Sequence, residues 1–161
     1  MFLTHFKLSS QPFAERIAAD ALWQDDRLRQ SVARLRYLAE QATVGLLTGA
    51  SGVGKSAVLK RFVHELPRPQ YQPVYVHLTR LPSSALLKLV VTQLGEVPRR
   101  GKERLFEQIL EKARQLEGAL VLILDEAHLL DGDALTDIRL LISSALDDAP
   151  PLKIVLAGQE P

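Results

Sequence analysis

Apolar positions recur along this chain in two rhythms, and the rhythms alternate. From about Asp26 to Ala42, the residues Leu28, Val32, Leu35, Leu38 and Ala42 keep a spacing of three to four, which predicts a helix with one apolar face. Asp25 or Asp26 stands where a short carboxylate can cap its first turn. Thr43 to Thr48 (TVGLLT) then reads as a short strand, and Gly49 to Gly54 as a glycine-rich turn. Helical spacing resumes through Val58, Leu59, Phe62, Val63 and Leu66, until Pro67 and Pro69 stop it. Val74 to Leu78 (VYVHL) is the second strand candidate. Ser83 is predicted to cap a helix carrying Leu86, Leu87, Val90, Val91 and Leu94, ending near Gly95. After a loop at Pro98 to Lys102, another helix carries Phe106, Ile109, Leu110, Ala113 and Leu116, with Gly118 as its stop. Ala119 to Leu124 (ALVLIL) is apolar at every position, the pattern of a strand covered on both faces. A helix from about Asp133 to Leu146, with Leu135, Ile138, Ile142 and Ala145 on its stripe, is broken by Pro150-Pro151. Leu152 to Ala157 (LKIVLA) is the last strand.

Strands that alternate with helices build βαβ units, so the expected fold is α/β with a mostly parallel sheet between two helical layers. Such sheets bind ligands at the carboxyl ends of their strands. The first 26 residues do not share either rhythm. Phe2, Phe6, Phe13 and Trp23 fall within them and predict a segment that packs against the remainder, residues 27–161.

With 161 residues, 47% of them hydrophobic and 24% charged, the chain has one domain's worth of core-forming material. The net charge of +1 excludes a uniformly basic or acidic binding surface, though not a local patch. The absence of cysteine excludes disulfides, cysteine zinc sites and thiol catalysis. No apolar run approaches the ~20 residues of a membrane-spanning helix, and the N-terminus lacks the apolar core of a signal peptide. A cytoplasmic location is expected.

Two segments carry chemistry, and both fall at predicted strand ends. Gly49-Ala-Ser-Gly-Val-Gly-Lys-Ser56 fits the phosphate-loop pattern G-x-x-x-x-G-K-S/T at every fixed position. Gly52 and Gly54 permit backbone conformations that turn successive N–H groups inward, and the following helix adds its positive end. Gly49, Ala50, Ser51, Gly52, Val53, Gly54, Lys55, Ser56 and Ala57 are the expected nucleotide-binding residues. Lys55 is expected to reach the β- and γ-phosphates, and Ser56 to ligate Mg²⁺. About 70 residues on, Leu-Ile-Leu-Asp125-Glu126-Ala-His128 ends an apolar strand in two carboxylates, in the manner of a Walker B element. Asp125 is then the second Mg²⁺ residue and Glu126 the general base for the attacking water. His128 either orients Glu126, senses the γ-phosphate or bonds a nearby carbonyl. Gln159, just past the last strand, and Thr79, just past the second, are further polar groups at this end of the sheet. The densest basic cluster, Arg99, Arg100, Lys102 and Arg104, reads first as a solvated loop and only second as a DNA contact. Arg27, Arg29, Arg34 and Arg36 form the solvated side of their helix.

In their order, these residues resemble AAA+ ATPases of the ExeA/GspA-like group, which includes helper ATPases of transposable elements such as TniB and MuB. The resemblance runs from His5-Phe6…Gln11-Pro12-Phe13 through VGLLTGASGVGKS and LILDEAHLL with Ile138-Arg139-Leu140-Leu141 to IVLAGQEP. It implies an AAA+ core of the P-loop NTPase type, ATP and Mg²⁺ as cofactors, and hydrolysis in an oligomer. It also implies a sensor role for Gln159 and a position near the adenine for the segment around Pro12-Phe13. DNA and a transposase are the partners it implies. The group usually carries D-E-A-Q where this chain has D-E-A-H, and histidine there is familiar among the transposition helpers. Two alternatives stay open: a secretion ATPase of the ExeA type with membrane partners, and a nucleotide-binding fragment that does not hydrolyse. The group's helical lid, with its sensor arginine, and the arginine-finger region would follow the last strand. The strand at Thr43–Thr48 is expected to be an exposed sheet edge.

Overall fold

The alternation of strands and helices is realised in the computed structural model, which describes residues 2–9, 11, 17–143 and 151–160. A single helical turn, α1 (Phe2–His5), and a 3-10 turn at Ala19–Ala21 precede the regular elements. These are α2 (Asp26–Gln41), β1 (Val44–Thr48), α3 (Lys55–Glu65), β2 (Tyr71–His77), α4 (Ser83–Gln93), α5 (Lys102–Gln115), β3 (Ala119–Asp125), α6 (Gly132–Ser143) and β4 (Leu152–Gly158), with a second 3-10 turn at Ala127–Leu129. All four strands are parallel, in the order β1-β4-β3-β2. Every strand therefore ends on the same side of the molecule, where both motifs lie.

The period-2 alternation of the strands divides the core into two. Val74, Val76, Leu120, Leu122, Leu124, Leu152 and Ile154 face α4, α5 and α6, against Leu87, Val90, Ile109 and Leu141. Val121, Ile123, Val155 and Ala157 face α2 and α3, against Val32, Leu35, Leu59 and Phe62. Both layers cover β3 along nearly its whole length, which is why it has no polar position before Asp125. β1 pairs with β4 alone among the described residues, and its Val44 and Leu46 are exposed, as expected of an edge.

Local choices follow the same physics, with four corrections. The Asp25 carboxylate accepts the Leu28 N–H at 2.8 Å and caps α2 as expected. Ser83 does not cap α4. The cap position is Pro82, and the Ser83 hydroxyl instead donates to Asp137, a partner 54 residues away that outcompetes the local one. Gly118 does not stop α5, which ends at Gln115. Its lack of a side chain lets β3 start against the turn that leads into β2, since a Cβ would lie 2.2 Å from the Gln70 carbonyl oxygen. On α6 the buried stripe is Ala134, Asp137, Ile138 and Leu141, so Leu135 is exposed and Ala145 lies outside the described residues. In the first 26 residues Phe6 and Trp23 are exposed, 57% and 87%. What holds residues 17–19 is polar: Lys60 and Arg61 of α3 donate to the Ile17 and Ala19 carbonyls. Pro12 and Phe13 lie outside the described residues.

Candidate functional site

The turn between β1 and α3 is shaped by its glycines. Gly52 and Gly54 have φ of 79° and 96°, the left-handed region where a side chain strains the backbone. Gly54 is also the residue that opens α3. Lys55, the first residue of that helix, is buried at 9% exposure, and its ammonium donates to the carbonyls of Gly49 and Ala50 at 2.8 Å each. The loop thus closes on its own lysine. A phosphate presents the same acceptor chemistry with more charge, so it can take over this cation. The unpaired N–H groups at the start of α3 point to the same place.

β3 delivers the second motif. Asp125 is its last residue and is 1% exposed. By alternation it shares the face of Val121 and Ile123, the side on which α3 and the glycine turn lie. Its Oδ2 accepts from the Ser56 hydroxyl at 3.2 Å and from the Tyr75 hydroxyl at 2.5 Å. Its Oδ1 accepts the Glu126 N–H at 2.9 Å, and the Leu78 N–H donates to its carbonyl at 3.0 Å. Burial, then the Asp125 carboxylate itself, push the Tyr75 hydroxyl well above the ordinary tyrosine range, so it stays a donor. The Nδ1 of His77 stands 3.9 Å from Oδ2.

Glu126 is bent away from the core. Its φ of 60° and ψ of 35° lie in the left-handed region, a conformation that costs a non-glycine residue roughly 1–2 kcal/mol. Its carboxylate, 29% exposed, faces His128 Nδ1 at 3.4 Å. The same nitrogen lies 3.4 Å from the backbone N–H of Gln159. Gln159 itself stands beyond Gly158, the end of β4, and β4 lies between β1 and β3. Thr48, at the end of β1, donates to Glu160 at 3.1 Å.

The structure therefore brings Lys55, Ser56, Asp125, Glu126, His128 and the Gln159 backbone to one end of the sheet. No hydrogen bond joins Thr79 to Glu126 among the described residues. Tyr75 and His77 were not foreseen. They face Asp125 because His77 registers with Asp125 across the β2–β3 ladder, so alternation puts both on its side. The donor chemistry fits Mg²⁺, a hard cation commonly held by one or two protein oxygens, water and phosphates. A hydroxyl and a carboxylate, 3.2 Å apart, are what Ser56 and Asp125 provide. No cluster of three or more acidic, histidine or cysteine side chains that would hold a metal unaided exists among the described residues.

A strand–glycine turn–helix, with a buried aspartate two strands away in an all-parallel sheet, defines a P-loop NTPase core. Within that class the chain belongs to the AAA domain family, whose profile matches residues 37–161. No match was found among curated proteins. Of solved structures, Cdc6p from Pyrobaculum aerophilum is similar with a TM-score of 0.74 at 20% identity, covering 92% of this chain and 42% of that one. The Orc1 protein of Aeropyrum pernix, solved in complex with DNA, gives 0.66 at 18% identity, with 86% and 40% covered. A Walker-type ATPase of Pyrococcus abyssi gives 0.65 at 19% identity, with 92% and 49% covered. The chain thus spans less than half the length of each of these structures, and the likeness is one of fold. No helix of the described residues is long and apolar enough to cross a membrane.

Proposed function

We propose that this chain binds Mg-ATP in the turn from Gly49 to Ala57 and hydrolyses it. The observation that carries this is the bond from Ser56 to the buried Asp125, which ties the glycine turn to the end of β3 beside an ammonium held by two exchangeable carbonyl contacts. On binding, Lys55 leaves Gly49 and Ala50 for the phosphate oxygens, and the N–H groups of Ala50, Ser51, Gly52, Val53 and Gly54 wrap the anion. Ser56 and Asp125 would hold Mg²⁺, which would supply positive charge to the phosphates. Glu126 takes a proton from water as the water oxygen bonds to the γ-phosphorus. The bond from that phosphorus to the bridging oxygen breaks, and ADP and phosphate leave. Gln159 supplies a polar contact to the γ-phosphate.

Within the AAA family we place the chain among the transposition helper ATPases, assembling as an oligomer on DNA with a transposase. His128 in the D-E-A-H segment supports this over the secretion ATPases. The basic cluster is not what supports DNA binding, because Lys102 pairs with Asp137 at 2.7 Å and Arg99 faces Glu111 at 3.8 Å. An arginine supplied by a neighbour in such an assembly is worth about 10³–10⁵ in rate, so turnover is expected to rise with protein concentration.

Calorimetry with Mg-ATP tests the binding step. The unaltered chain takes up ATP, and Lys55→Ala loses roughly tenfold to a hundredfold in affinity, the loss of one charge-assisted contact of about 1.5–3 kcal/mol. Equal affinity in the variant, or no uptake by the parent, overturns the proposal. Phosphate release that does not change with dilution overturns the oligomer.

A further inference from the structure

His128 Nδ1 faces two groups that make opposite demands on it. The Glu126 carboxylate, at 3.4 Å, can only accept, so it requires a proton on Nδ1. The Gln159 N–H, also at 3.4 Å, can only donate, so it requires a lone pair there. One nitrogen cannot satisfy both at once. Both distances are longer than a formed hydrogen bond of 2.7–3.2 Å, so the ring stands between two partners rather than on either. The backbone is built to keep it there. Gly158 abuts the histidine, and a Cβ at that position would lie 3.1 Å from the His128 backbone nitrogen and 3.6 Å from Nδ1. The 3-10 turn that carries His128 is closed by the Leu129 N–H on the Glu126 carbonyl at 2.9 Å, which joins the histidine and the glutamate in one rigid bend.

We infer that His128 is a positioning residue that couples Glu126 to the end of β4 by choosing between two tautomers. With Nδ1 protonated, the imidazole donates to Glu126 and fixes its carboxylate, and the Gln159 amide is released. With the proton on Nε2, Nδ1 accepts from Gln159, and its lone pair repels the carboxylate, which turns away. The ring reaches the 520 Å³ cleft that it lines with Arg80, Pro82, Leu130 and Asp131, where water can exchange the proton between the two nitrogens. A shift of Gln159 toward a γ-phosphate would therefore be felt by Glu126 without direct contact between them.

The inference rests on the ATPase proposal, and two measurements keep their failures apart. The first is the ¹⁵N resonance of Nδ1 in the full chain, assigned among its four histidines by loss in His128→Ala. Without nucleotide, Glu126→Gln shifts the Nδ1 signal toward the lone-pair form, because the acceptor that favoured the proton is weakened. Addition of a non-hydrolysable Mg-ATP analogue changes the tautomer ratio in the parent. An Nδ1 signal unchanged by Glu126→Gln overturns the coupling, whether or not the chain hydrolyses ATP. The second is kinetic. His128→Ala lowers kcat about tenfold with KM and calorimetric ATP affinity unchanged, and His128→Asn, whose amide can donate or accept, restores part of it. In a Glu126→Gln background the histidine change has no further effect, as for residues acting as a unit. Additive losses, or an unchanged kcat in His128→Ala, overturn the inference. Failure of the parent to bind Mg-ATP at all overturns the ATPase proposal instead.

Discussion

Among the described residues two carboxylates are buried, Asp125 at 1% and Asp137 at 2% exposure, and they are treated in opposite ways. Asp137, in the middle of α6, is matched by a cation. Lys102 reaches it at 2.7 Å and the Ser83 hydroxyl donates to its other oxygen, so α4, α5 and α6 are tied at one point. Asp125 has hydroxyls and an amide around it, but no lysine or arginine pairs with it among the described residues. The Nδ1 of His77 stands 3.9 Å from it. A carboxylate taken out of water without a cation is costly, and it persists where something outside the chain supplies the charge. The contrast separates a structural knot from the aspartate proposed to hold Mg²⁺ more sharply than burial alone.

The largest effect that can break this contrast comes from Asp125→Asn. The amide keeps the shape and removes the charge. Turnover with Mg²⁺ falls by on the order of 10²–10³, the scale of losing several kcal/mol of metal-based stabilisation. Thermal stability holds or rises, because a buried charge without a cation is gone. A fall in melting temperature with turnover intact would mean that Asp125 is a structural residue like Asp137.

Asp137→Asn is the mirror experiment and has a smaller effect. Lys102 loses its partner and Ser83 its charged acceptor, for about 1–3 kcal/mol of stability. Because the Lys102 side chain is 43% exposed, water recovers part of its loss, and the lower half of that range is expected. In a domain of this size each kcal/mol moves the melting temperature by about 2–4 °C. Nucleotide affinity and its Mg²⁺ dependence do not change. A loss of Mg²⁺ dependence in this variant would erase the distinction between the two aspartates.

The sequence disclosed these two regions unequally. The Asp125 site was legible because its constraints are local: glycines that must turn, a lysine and a serine at fixed offsets, and a strand so apolar that its terminal Asp-Glu stands out. The knot at Asp137 was not legible. Ser83 looks like a helix cap because serine before an apolar run usually is one, and its actual partner is set by how α4 packs against α6. Asp137 hides for the same reason: a stripe drawn through Leu135 puts the aspartate on the solvent side, and a slight rotation of the helix turns it inward. Tyr75 and His77 depend on the β2–β3 register, which no short motif encodes. What sequence periodicity omits is the rotation and register that tertiary packing decides.

The finest test of the contrast is Tyr75→Phe. The ring stays and only the hydroxyl leaves, so β2 packing is preserved while Oδ2 of Asp125 loses its shortest contact, at 2.5 Å. If hydroxyls stand in for a cation around Asp125, removing one leaves the carboxylate less restrained and a metal ion more welcome. Stability then falls by about 1 kcal/mol or less, the net worth of one hydrogen bond at a half-exposed side chain. Mg²⁺ affinity, measured by titrating turnover at saturating ATP, shifts by a few-fold at most, because Ser56 still orients the carboxylate. The phenol remains a donor at neutral pH, its proton held by burial and by Asp125, so the tyrosine's part in the site does not vary between mildly acidic and neutral solution. A loss of turnover as large as that of Asp125→Asn would show instead that the hydroxyl, and not the carboxylate alone, organises the metal position.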